Sequence, residues 1–210
     1  MKQSKSYGPD EFAQVSNVSR ETLDRLRLYV SLLLRWNQEI NLIGRSTEQD
    51  LWRRHVLDSA QIYNLLPAVA FPLVDLGSGA GFPGLILAIL GARDVHLVES
   101  DKRKAAFLRQ AAQSTGLDVT IHAARIEELC PFRAAVVTAR ALAPLPKLLN
   151  LATRFESGET RYIFLKGQYV DDELTAAYKM WKLTVDRKLS QSDPTGTVLC
   201  LSEVSRVRFL

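Results

Sequence analysis

The hydrophobic pattern changes character once along the chain. In the first part, to about Pro67, apolar residues recur at helical spacing. Leu23, Leu26, Val30 and Leu33 are separated by 3, 4 and 3 positions, which lines one face of a helix. Ser19 stands just before that run and suits the N-cap, where a hydroxyl accepts from a first-turn amide that has no helical partner. The stretch "NLIGRS" then breaks the pattern. Ser46 and Gln49 have the spacing of a capping box. They predict that a second helix opens there, with Leu51, His55, Asp58 and Ile62 on one face.

From Phe71 onward, short apolar runs alternate with helical stretches. Strands are predicted at Leu73–Leu76, Val95–Glu99, Val119–His122, Ala134–Thr138 and Tyr162–Lys166. Two later runs, Leu183–Leu189 and Thr197–Leu201, are expected to complete the sheet as an antiparallel pair. Pro83 suits the first turn of a helix and Gly91 its end. Asp101 is expected to cap the next helix and Gly116 to end it. This alternation predicts an α/β fold, a mainly parallel seven-stranded sheet with helices on both faces. The expected division is a helical N-terminal extension over residues 1–68 packed on a Rossmann-like domain over 69–210.

Composition narrows the class. With 210 residues and 47% apolar content, the chain can bury a sizeable core. Cys130 and Cys200 lie far apart, without metal-ligand spacing. Neither a disulfide framework nor a metal site is expected, and a reducing cytoplasm fits. The opening "MKQSKSYGPDEF" is polar, unlike a signal peptide, and no run is long enough for a membrane span. A cytoplasmic protein without a membrane partner is expected, working as a monomer. The net charge of +4 and pI near 9.1 are compatible with a polyanionic partner without identifying one.

The chemistry concentrates in "VDLGSGAGFPG", Val74 to Gly84, at the carboxyl end of the first strand, where open α/β sheets bind ligands. The dinucleotide fingerprint G-x-G-x-x-G would need glycine at position 82, which is Phe82, and no Gly-Lys-Ser/Thr follows for a P-loop. The pattern is instead Asp75, Gly77, Gly79, Gly81. It suits S-adenosylmethionine, which has a sulfonium and no pyrophosphate. Gly77 and Gly79 let the backbone approach the methionine part. Asp75 offers a carboxylate near the ammonium or sulfonium end, or in part a structural tie for the turn's backbone amides. Glu99 lies 22 positions after Gly77, and a carboxylate there can accept from both ribose hydroxyls. The expected class is therefore an S-adenosylmethionine-dependent class I methyltransferase, with a dehydrogenase as the alternative that Phe82 disfavours.

The segment after the fourth strand bears on the target atom. "TARALAPLP" lacks the Asn/Asp-Pro-Pro-aromatic tetrapeptide of exocyclic-amine enzymes, and neither cysteine is placed as the nucleophile that pyrimidine carbon-5 chemistry needs. Arg140 is expected just past this strand. It is always protonated, so it cannot act as a base. It can hold guanine O6 or N7, a phosphate, or the cofactor carboxylate. Lys166, ending the fifth strand, faces the same edge. A site without a base suits a nucleophile with a free lone pair, such as guanine N7, which needs alignment rather than deprotonation.

Other residues keep two readings. His55, Asp58 and Ser59 form either a buried docking network or a pocket rim. Arg54 and Asp58 have the spacing of an i,i+4 pair. Lys102, Arg103, Lys104 and Arg109 line either a solvated face or an RNA-phosphate surface. Arg125 serves either RNA or Glu127. Trp36 and Trp52 are read as core rather than base-stacking platforms.

Several stretches together resemble one family: "LLLRWNQEINLIG", "RRHVLDSAQI", "DLGSGAGFPG", "VESDKRKAAFLRQ", "ARIEEL" and "TARALAPL". From about Ser19 to Lys166 the chain is similar to the ribosomal RNA small-subunit methyltransferase G family. The resemblance implies methyl transfer from S-adenosylmethionine to guanine N7 in the decoding region of 16S rRNA, within the small ribosomal subunit. It places Gly77 and Phe82 at cofactor-binding positions, Ile126 and Glu127 beside the adenine, with the Ile126 backbone reading its edge, and Arg140 at the family's arginine after the fourth strand. Phe82 stands where many relatives carry leucine, a change that an apolar or backbone contact tolerates. The tail after Lys166 matches less clearly.

Overall fold

Seven strands form one sheet in the order β3-β2-β1-β4-β5-β7-β6, in a computed structural model that describes residues 7–68 and 72–207. They are β1 (Leu73–Leu76), β2 (Val95–Val98), β3 (Val119–His122), β4 (Val136–Arg140), β5 (Arg161–Lys166), β6 (Trp181–Leu189) and β7 (Thr197–Arg206). The first five run parallel. β7 is antiparallel to β5, and β6 to β7, so the predicted antiparallel pair closes one edge. The expected division after residue 68 and the lead residue Phe71 abut or fall within 69–71, outside the described residues.

β1 is central, and all four of its residues are buried, Asp75 included. Strand order reverses between β1 and β4, the switch point at which ligands sit on such sheets. β4 lies two residues later than expected. The amides of Ala134 and Ala135 are taken by Phe155 and Pro72 carbonyls before the ladder begins, and pairing with β5 holds the chain extended to Arg140, opposite Leu165. Arg140 is therefore the last residue of the strand. β6 and β7 also outrun the predicted strands, at Trp181 and Arg206, because they pair with each other.

The helices α1 (Pro9–Ser16) and α2 (Arg20–Asn37) open the chain. The Ser19 side chain accepts from the Thr22 amide as expected, and Leu23, Leu26, Val30 and Leu33 are buried. They join one hydrophobic cluster with α5 (Gly84–Ile89) and α6 (Lys102–Thr115), each such side chain contributing roughly 1.5–3 kcal/mol. α6 is capped by Asp101 and ended by Gly116 at φ 66°, also as expected. Trp36 packs edge-on to Phe107 at 5.8 Å and Trp52 against Phe12 at 5.7 Å, the core role read for both. α7 (Leu145–Ala152) and α8 (Val170–Tyr178) cover the other face.

The segment after "NLIGRS" departs from expectation. The short helix α3 (Arg45–Glu48) is capped by Gly44, with no side-chain bond, and Ser46 falls inside its first turn. No Ser46–Gln49 capping box forms. The chain then runs as a π-helix over Trp52–Leu57 and returns to α register in α4 (Asp58–Ala60). The wider turn is visible where the Asp58 amide reaches back to the Arg53 carbonyl. No described helix is long and apolar enough to cross a membrane.

Candidate functional site

The turn after β1 is shaped by glycines at positive φ: Gly77 at 68°, Gly79 at 56° and Gly81 at 97°. A side chain there would be strained. At Gly79 the nearest protein atom to an added Cβ is the Gly77 carbonyl oxygen, 3.8 Å away. The missing side chain therefore leaves open space, and that space belongs to a cavity of about 500 Å³. Gly77, Gly79, Phe82, Glu99, Ile126, Glu127 and Arg140 all line it. Seven of the residues singled out from sequence thus meet in one place.

Glu99 is buried and organises the turn. Its Oε2 accepts from the Gly79 amide at 2.8 Å and its Oε1 from the Asp101 amide at 2.7 Å. Each oxygen keeps a further lone pair. The Ile126–Glu127 loop is held from behind by Arg154, which donates to the carbonyls of Glu127 and Leu129. Arg125 is exposed and makes no ion pair with Glu127 among the described residues. Of the basic residues on α6, only Lys104 reaches the cavity wall. Lys102, Arg103 and Arg109 are exposed.

Asp75 corrects the cofactor-binding expectation and follows the structural one. It does not face the cavity. Its Oδ1 accepts from the Thr138 hydroxyl at 2.8 Å and its Oδ2 from the Gly84 amide at 3.2 Å. It ties β1 to β4 and to the start of α5. Gly84 is required there, because an added Cβ would stand 2.7 Å from the Asp75 Cβ. Burial raises the Asp75 pKa to about 6, against the hydrogen bonds it accepts.

Arg140 is the centre of the second arrangement. Its Nη2 donates to His55 Nδ1 at 2.5 Å, and its Nη1 lies 3.3 Å from Asp58 Oδ2. The guanidinium sits 5.4 Å from the centre of the Phe82 ring, on which His55 stacks at 5.0 Å. An arginine only donates, so His55 Nδ1 must be unprotonated and Nε2 must carry the proton. Nε2–H then donates to Thr47 Oγ1 at 2.8 Å, whose hydroxyl donates to the Gly44 carbonyl at 2.9 Å. Burial first, and the Arg140 and Arg54 charges next, push the His55 pKa down to about 3. His55 is a neutral brace. It and Asp58 are at once the docking network and the pocket rim, and the sequence had left those two readings open.

A second cavity of about 510 Å³ lies next to the first. The two share Arg140, Ala141, Leu142 and Ala143 as a wall. Lys166, placed from sequence at the active edge, lines this second cavity. Arg54 does not pair with Asp58. It binds Asp193 at 2.6 Å, while Asp58 Oδ1 accepts from Ser192, Gln61 and Ser190 at 2.6, 2.9 and 3.2 Å. The β6–β7 loop thereby closes onto the π-helical segment. Sequence reasoning missed this loop, as it missed Tyr29, whose hydroxyl donates to the Ala80 carbonyl at 2.6 Å and pins the glycine turn from α2. Among the described residues no group could hold a metal ion.

Known proteins are similar to this chain in sequence and in fold. The model of the family described as rRNA small subunit methyltransferase G matches residues 22–194. The chain belongs to that family. It is 56% identical to the ribosomal RNA small subunit methyltransferase G of Paramagnetospirillum magneticum, over 96% of this chain and 98% of the relative. Identity to the protein of the same name from Rhodospirillum rubrum is 52%, over 94% and 98%. In fold, this methyltransferase G family member is similar to a TehB-like SAM-dependent methyltransferase from Corynebacterium glutamicum. The TM-score is 0.55 at 16% identity, covering 70% of this chain and 86% of the other. The family match extends past Lys166 to include the β6–β7 loop up to residue 194, which the sequence resemblance had not clearly reached.

Proposed function

We propose that this protein methylates N7 of one guanine in the 16S rRNA of the small ribosomal subunit, with S-adenosylmethionine as methyl donor, in the cytoplasm where that subunit is built. S-adenosylmethionine supplies an electrophilic methyl group on a sulfonium. The first cavity fits it: Gly77 and Gly79 keep the backbone open along one wall, Glu99 presents spare lone pairs for ribose hydroxyls, and Ile126 and Glu127 border the adenine end. Phe82 and Arg140 close the side toward the second cavity.

The observation that carries the reaction class is the junction at Arg140. The lone pair of His55 Nδ1 is capped by Arg140, and Asp58 is occupied by Arg140 and three further donors. Both groups are engaged by the protein itself rather than presented to a substrate. The site therefore favours a nucleophile that arrives with its own lone pair, as guanine N7 does, and the residues contribute alignment and charge. Arg140 and Lys166 are the cations that would hold the guanine or its phosphates.

The test is transfer from labelled S-adenosylmethionine to small subunits that lack the modification, followed by mapping of the product. One methylated guanine N7 is the expected result. Transfer to a different atom, or to protein, would sink the proposal.

A further inference from the structure

We infer that the second cavity receives the target base extruded from its stack, and that the Lys166–Glu173 pair reads its O6 and N1–H. This deepens the guanine reading above and rests on it. The cavity carries three carboxylates, each beside a cation: Asp58 with Arg140, Asp193 with Arg54, and Glu173 with Lys166. In the first two, both carboxylate oxygens are engaged. Asp58 holds four partners, and Asp193 accepts from the Thr195 amide and hydroxyl on Oδ1 and from Arg54 on Oδ2.

Glu173 differs. Its Oε2 takes both the Leu145 amide at 2.6 Å and Lys166 Nζ at 2.5 Å. Its Oε1 makes no hydrogen bond to the described residues. Lys166 Nζ gives a second hydrogen to the Ala143 carbonyl at 3.0 Å, which leaves one of its three donors unspent. A free donor thus stands beside a free acceptor on the cavity wall.

The order of the two matters. Ala143 belongs to the wall shared by both cavities, whereas Leu145 lines neither. The inferred arrangement sets Lys166, bound to that shared wall, toward the first cavity and Glu173 beyond it. On guanine, moving away from N7, the acceptor O6 comes first and the donor N1–H second. With N7 turned to the first cavity, O6 meets the ammonium and N1–H meets the carboxylate. Adenine presents the opposite order, a donor amine against an ammonium. Enzymes that act on a base commonly extrude it into such a pocket. Ala141, in the shared wall, holds a left-handed backbone at φ 51°, the kind of strain that clusters at working sites.

The test uses small subunits reconstituted with 16S rRNA carrying guanine, inosine or 2-aminopurine at the mapped position. Inosine keeps O6 and N1–H and lacks the 2-amino group. 2-Aminopurine keeps N7 and the amino group but lacks O6 and N1–H. The wild-type enzyme is expected to methylate inosine within about threefold of guanine and 2-aminopurine about a hundredfold more slowly, as a site built on hydrogen bonds rejects an analogue without them. Glu173→Gln keeps an oxygen for the Leu145 amide and should cut the guanine to 2-aminopurine ratio below about tenfold, with cofactor affinity by calorimetry unchanged. Equal wild-type rates on guanine and 2-aminopurine overturn the inference without any variant, as does an unchanged ratio in Glu173→Gln. Absence of transfer to guanine itself would instead be a failure of the underlying functional reading.

Discussion

His55 and Asp75 should pull the stability of this protein in opposite directions across the same pH range. The His55 pKa is displaced from 6.5 to about 3. Between those values the unfolded chain holds one more proton than the folded one. Folded stability from His55 is complete above about pH 6.5 and is lost as pH falls toward 3, at about 1.4 kcal/mol per pH unit. The Asp75 pKa is displaced the other way, from 3.8 to about 6. There the folded chain holds the extra proton. Its contribution is complete below about pH 3.8 and is lost as pH rises through 6, at the same rate of about 1.4 kcal/mol per pH unit. Between about pH 4 and 6 the two slopes cancel in the wild type. Each single variant should unmask the other group. In urea titrations at pH 4.5, 5.0 and 5.5, the stability curve of Asp75→Asn should rise with pH more steeply than wild type by about 1.4 kcal/mol per unit, and that of His55→Gln should fall by as much relative to wild type. Remaining carboxylates act equally in all three proteins and drop out of the differences. Curves of the two variants that run parallel to wild type would refute the assignment of buried neutral histidine and buried protonated aspartate.

Other perturbations separate the working parts. Arg140→Ala should abolish methyl transfer and also lower stability by roughly 1–3 kcal/mol, because it leaves the buried His55 Nδ1 acceptor unsatisfied and removes the cation beside Asp58; full activity in that variant would remove Arg140 from the mechanism. Glu99→Gln turns an amide N–H toward one of the two backbone amides it now serves, so cofactor affinity by calorimetry should drop tenfold or more, about 1.4 kcal/mol; unchanged affinity would place Glu99 outside the cofactor site. Arg54→Ala breaks a pair whose side chains are 42% and 26% exposed, and thermal melts should show a loss below about 1 kcal/mol. A loss of several kcal/mol there would mean that the β6–β7 loop is held chiefly through this pair.

The order of strands and helices from Leu73 to Lys166 was legible because each signal is local. Asp101 and Gly116 mark the ends of α6 through their own backbone chemistry, and the glycine turn needs residues that tolerate positive φ wherever it occurs. The gathering of Gly77, Gly79, Glu99, Phe82, Ile126, Glu127 and Arg140 around one cavity follows once parallel strands place their carboxyl ends together. Three features were not legible. The π-helix at Trp52–Leu57 has no propensity signature, since its register is set by how His55 and Asp58 reach Arg140, a residue more than eighty positions away. Whether Asp75 faces a ligand or the turn depends on Thr138 in the neighbouring strand, which only the sheet register puts within hydrogen-bond distance. The pairing of Arg54 with Asp193 rather than Asp58 joins ends of the chain that no short-range pattern connects. Local conformation is written in neighbouring residues. The partners of buried charges are chosen by the fold, because in the interior a carboxylate or guanidinium must be matched by whatever group the topology brings beside it.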